Sequence, residues 1–222
     1  MLLILLIIPV IYSIVDSFFG KLGLTRFREH KKFTEVMECK TEDKGEQMLT
    51  YMNWVNSWPI ISAMIQFAIL GTLGEIVSKW IIQKNFKYPF GLWLTLRKML
   101  VWALLAVGIK YAFKGFGGFL QTLIDSSMWP RFAEGSFGQA FSLSVLMNLQ
   151  FGPTMVIMHR VLDNIPEKVK NWNNMDKSMY SLLWFWIPAH TVTFMMPDMF
   201  RMGLAAVWSV ALGLILGFYN RK

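Results

Sequence analysis

Apolar residues run through this chain in near-continuous stretches of about 19 to 27 positions, broken by short polar clusters. That spacing predicts helices that cross a bilayer rather than alternating strands or one-sided soluble helices. Six stretches carry the pattern, at residues 1–19, 57–82, 92–113, 138–158, 179–197 and 202–219. A shorter run at 115–124, GFGGFLQTLI, is rich in glycine and too short to span, and reads as a re-entrant or interfacial piece. The expected fold is therefore all-α, a polytopic transmembrane bundle of five or six membrane segments, some kinked at Pro or Gly. Residues 1–19 lack a basic start and a small-residue cleavage site, so they read as a retained anchor helix with Pro9 as a kink. Residues 20–56 form a charged hydrophilic insert, and 57–222 the helix bundle.

Composition changes the picture only by naming the solvent. Hydrophobic residues make up 55% of the 222 and charged residues 16%, against roughly 25% charged in a soluble domain. The net charge of +8 then belongs to loop lysines and arginines facing anionic lipid headgroups, not to nucleic acid. Most of the ten tryptophans fall near segment ends, where indoles favour the headgroup level. Lysine and arginine divide evenly between the two sides of a six-span topology, although the basic cluster after Phe19 favours the insert in the cytoplasm or matrix. Cys39 is the only cysteine, which excludes an intrachain disulfide.

Polar residues inside apolar segments are costly in a membrane, and each asks for a role. In GTLGEIVSKWI, Ala68, Gly71, Thr72, Glu75 and Lys79 share one helix arc. This arc is either the polar wall of a solute path or a packing face on which Glu75 pairs with Lys79 one turn on. In WFWIPAHTVTFMMPDMFRM, Pro188 frees the carbonyl of Trp184 and bends the segment, and His190, Thr191 and Thr193 gather at the irregularity. Asp198 suits the N-cap of the last helix, with Arg201 one turn in. In FGPTMVIMHRVLDNIP, Gly152 and Pro153 interrupt a helix that ends in His159, Arg160 and Asp163. His159 and Asp163 have the i, i+4 spacing of two metal ligands, but helix-end charge accounts for them better, and neither a metal nor a cofactor is expected. The methionines around 195–202 read as packing.

The last segment carries Ala205, Ser209, Gly213 and Gly217 at every fourth position, a stripe for close contact with another helix of this chain or of a partner. No zinc-protease, nucleophile-elbow, P-loop or CxxC signature occurs, and the chain is not expected to be an enzyme.

Three stretches together resemble the Mpv-seventeen and twenty-two-kilodalton peroxisomal membrane protein family. Pro59 is followed by Gly74, Glu75, Ile76, Val77 and Ser78, similar to the family's Gly-Asp-hydrophobic-hydrophobic-Ser-Gln, with Lys79 in place of Gln. Gly152, Pro153, His159, Arg160, Val161, Leu162, Asp163, Ile165 and Pro166 resemble its Gly-Pro and Leu-Asp block. Trp186, Pro188, Thr193, Phe194, Pro197 and Arg201 resemble its closing block, although Ile187 separates Trp from Pro and Thr193 replaces an asparagine. Extra apolar segments lie before residue 57 and between 92 and 124, so the match is to a remote or rearranged member. The resemblance implies a small helical protein of the mitochondrial inner membrane or a bacterial cell membrane, rather than the peroxisome, with pore or metabolite-passing activity. Glu75, Lys79, Gly71, Thr72, His190, Thr193 and Arg201 are the expected polar path. The alternative is a non-catalytic accessory subunit, working as a homo-oligomer or within a larger membrane complex.

Overall fold

The computed structural model of the chain describes residues 45–130, 132, 135–168 and 170–219. The expected anchor helix at 1–19 and most of the charged insert lie outside these residues. The chain divides into two compact units, Met1–Ser62 and Ala63–Lys222. In the first, residues 45–57 are helical, so the later part of the insert is a helix, with Tyr51 and Trp54 rings 6.1 Å apart.

The second unit is a bundle, and no strand occurs among the described residues. Its elements are α1 (Pro59–Gln83, beginning within the first unit), α2 (Leu92–Asp125), α3 (Ser136–Asn164), α4 (Met175–Ser181), a π-helical turn (Leu182–Trp186), α5 (Ile187–Met195) and α6 (Asp198–Tyr219). Among the described residues α1, α2, α3 and α6 are long and apolar enough to cross a membrane. That architecture is compatible with an integral membrane protein, as the hydrophobic spacing required.

Three features differ from the sequence reading. The glycine-rich run at 115–124 is no re-entrant piece, because it continues α2 to a length of 34 residues. Ala106, Ile109, Phe113 and Leu120 are buried at helical spacing on both sides of the glycines. Periodic packing of this kind outweighs the roughly 1 kcal/mol that each Gly costs against Ala. The second difference is at Pro188. The helix does not simply bend there, since the five residues LLWFW just before it widen into a π-turn, and α4, the turn and α5 follow one another without a break. Asp198 is the first residue of α6 rather than its N-cap.

Small residues draw α1 and α6 together. A methyl group added at Gly74 would lie 2.6 Å from the carbonyl oxygen of Ser209, and one at Gly213 would collide with the carbonyl of Gly74. One at Gly217 would press on Ser78 and Ile81 at 3.1 Å. Part of the stripe from Ala205 to Gly217 is therefore spent inside the chain. α3 is the central element and packs chiefly on α5 and α2.

Candidate functional site: a cavity with two polar centres

A cavity of about 330 Å³ opens between α1, α2, α3, the α4–π segment, α5 and α6. Its walls are mostly apolar, from Phe67, Ile109, Phe113, Met147, Phe151, Met155, Leu212 and Leu216, and two polar centres face it.

The first centre is built on Glu75 of α1. Lys98 and Trp102 stand one turn apart on α2, so both side chains reach the same carboxylate. The Lys98 ammonium donates to Glu75 Oε2, and Trp102 Nε1 donates to Oε1 at 2.8 Å. From α3, His159 Nε2 lies 3.6 Å from Glu75 Oε1, and Asp163 Oδ2 lies 3.7 Å from Lys98 Nζ. His159 and Trp102 pack ring on ring, with centroids 4.7 Å apart. Lys98 is only 8% exposed, and burying a charge to that extent is tolerable because carboxylates meet it. Gly71 is what admits Trp102: a methyl there would run into the indole ring. Glu75, His159 and Asp163 each place one donor atom within 4.8 Å of the others, which makes them a group among the described residues that could hold a metal. His159 Nε2 and Asp163 Oδ1 are buried without a hydrogen-bond partner.

The second centre holds no carboxylate, ammonium or guanidinium group. Asn148 of α3 donates through Nδ2 to the Ser144 carbonyl at 2.8 Å. His190 Nδ1 lies 3.1 Å from Asn148 Nδ2 and 3.2 Å from its Oδ1, so the amide and the ring share a bond whose direction follows the tautomer. The ring stacks on Trp186 at 4.9 Å and meets Phe113 edge-on at 5.6 Å. Ser144 Oγ donates to the Ile187 carbonyl at 2.7 Å. The polar column Ser144–Asn148 therefore meets the backbone where the π-turn and Pro188 loosen it.

The sequence-predicted positions separate clearly. Gly71, Glu75 and His190 line the cavity, as do Gly74, Gly152, His159, Arg160, Asp163 and Trp186, with Ala205, Ser209 and Gly213 of the stripe. Thr72 does not line it and is buried, its hydroxyl without a hydrogen-bond partner. Lys79 is exposed and does not pair with Glu75, whose lysine is Lys98 instead. Thr193 is buried, donating to the Ala189 carbonyl at 2.9 Å and accepting from Trp208 Nε1 at 3.2 Å. Arg201 closes the end of α5, donating to the carbonyls of Met196 at 2.8 Å and Phe194 at 3.1 Å and pairing with Asp198. Pro153 lies inside α3, Phe194 packs on Phe113 at 4.9 Å, and Pro197 sits between α5 and α6.

Sequence reasoning missed Lys98, Trp102 and Asn148. Lys98 reads as one more helix-end charge, and its pairing with Trp102 at i, i+4 on one face was the available signal. Asn148, with Ser144 one turn before it in an apolar run, is the same kind of misplaced polar residue as Glu75.

No family model, no curated protein and no solved structure matches the chain.

Proposed function

We propose that this chain is a non-enzymatic, multi-pass integral membrane protein that takes ions or small metabolites into the cavity between its helices and passes them across the membrane. The observation that carries the reading is that a charged centre and an uncharged polar centre, built largely from different helices, face one cavity inside a bundle with four helices long and apolar enough to cross a membrane. Polar groups in such helices are costly unless they pair or line a path, and the volume, about 330 Å³, lies at the small end of the roughly 300–1,000 Å³ of ligand pockets. With four long helices, the α4–π–α5 segment supplies a fifth crossing.

The resemblance to the Mpv-seventeen and twenty-two-kilodalton peroxisomal membrane protein family points the same way. Of the motif positions that carry it, Gly74, Glu75, Ser78, Gly152, His159, Arg160, Asp163 and Trp186 face the cavity. On this reading the protein sits in the mitochondrial inner membrane or a bacterial cell membrane. An accessory-subunit role would need a surface other than Gly213 and Gly217, which are turned onto α1.

Purified protein in liposomes is expected to leak small ions or metabolites, and Glu75→Gln to change the selectivity between cations and anions. Tight vesicles with the wild-type protein would refute the proposal. Identical permeability in the two proteins would remove Glu75 from the path.

A further inference from the structure

The charged centre holds more ligand atoms than its own ion pairs use. Lys98 engages Glu75 Oε2 and Asp163 Oδ2 and does not itself line the cavity. Glu75, His159 and Asp163 do line it. On that side His159 Nε2 and Asp163 Oδ1 are buried without a hydrogen-bond partner, His159 Nε2 facing Glu75 Oε1 only at 3.6 Å, an arrangement that costs free energy unless something binds there. These groups are borderline nitrogen and oxygen donors from two helices, and His159 and Asp163 are held one turn apart on α3.

We propose that Glu75, His159 and Asp163 form a binding site for a first-row divalent cation, with zinc the best fit, at the wall of the cavity. A tetrahedral zinc with bonds of 2.0 to 2.2 Å wants its donors about 3.4 Å apart. Glu75 Oε1 and His159 Nε2 are already 3.6 Å apart, and the triad as a whole lies within 4.8 Å, so modest side-chain closure completes three ligands. The fourth position faces the cavity, where water or a solute oxygen can enter. Trp102 Nε1, hydrogen-bonded to Glu75 Oε1 at 2.8 Å, orients the carboxylate, while Lys98 offsets the excess negative charge of the site when no cation is bound. The site stands independently of solute passage, since metal binding can be read without any flux.

The test is titration of the purified, detergent-solubilised full chain, stripped with chelator, with Co²⁺ and then Zn²⁺. Wild-type protein is expected to bind one Co²⁺ per chain with the intense visible absorption of a four-coordinate ion, displaced by Zn²⁺, and to melt at a higher temperature with Zn²⁺ present. His159→Gln and Asp163→Asn, which nearly keep shape, should each weaken binding by about 100-fold or more, since even outer-shell changes cost 10 to 100-fold. Asp125→Asn, at the far end of α2, should bind as wild type does. No absorption in the wild type, or unit binding that survives in both triad variants, overturns the site. If a triad variant fails to fold, the wild-type stoichiometry and the zinc-dependent rise in its melting temperature still decide.

Discussion

Glu75 is met by donors from α2 and by an imidazole from α3, so its carboxylate ties three helices at one point. Removing one partner of such a buried pair costs more than removing both, because the survivor is left charged and unmatched. Glu75→Gln alone and Lys98→Met alone are each expected to lose about 3 kcal/mol of stability, whereas the double variant loses clearly less than the sum. Chemical unfolding in mild detergent measures this cycle, and strictly additive losses would show that the pair is not coupled. Glu75 itself was legible in the sequence because a carboxylate inside an apolar run has no ordinary explanation. Its partner was not, because Lys79 one turn away and Lys98 on another helix are equivalent candidates until the tertiary arrangement chooses. Helical periodicity places residues on a face and is silent about which neighbour meets that face. Asn148 was overlooked for a different reason: it is uncharged, so its burial among apolar residues made a weaker contrast, although its hydrogen bond to the Ser144 carbonyl obeys the same rule of satisfaction.

At the scale of the element, hydropathy located α1, the core of α3 and α6 to within a few residues, because the bilayer's thickness sets their length. It failed where packing overrules composition. Glycines at 115, 117 and 118 suggested a break, yet the rhythm of buried residues runs through them and the helix continues. Glycines of the two kinds should respond oppositely to the same substitution. At Gly213 a methyl would strike the Gly74 backbone, so Gly213→Ala must push α1 from α6 and is expected to destabilise by about 1 to 3 kcal/mol. At Gly118 nothing lies within 4 Å, and Gly118→Ala is expected to stabilise by about 0.5 to 1 kcal/mol. Melting temperatures of the two variants, measured side by side, should move in opposite directions; a shared direction would contradict the packing.

For the whole molecule, several of the costly features among the described residues gather in one place. Leu182 and Trp186 of the π-turn, Glu75, His159 and Asp163 of the charged centre, and Gly71, Gly74, Gly152 and Gly213 line the same cavity, while the outer faces of α2 and α3 expose large apolar side chains such as Leu96, Leu100, Leu104 and Leu149. A sequence read alone supplied most of those ingredients without their convergence, which depends on which helices become neighbours. The length of α2 has a separate consequence. Its 34 residues extend about 51 Å, and fitting them within about 30 Å of hydrocarbon would need a tilt of about 54°, beyond the range of about 40° seen in membrane helices. In a bilayer, part of α2 would therefore stand clear of the hydrocarbon, and on the proposed reading Lys110 and Lys114 put that part at its C-terminal end. In a chain carrying Cys39→Ser, a cysteine introduced at Phe119 should react quickly with a water-soluble maleimide, while one at the equally outward Leu104 should not; equal rates would place the waterline elsewhere. That end of α2 does not stand alone: Leu120 is 1% exposed and Gln139 Nε2 donates to Gln121 Oε1 at 3.3 Å, so the start of α3 braces it and the two helices form one stiff corner.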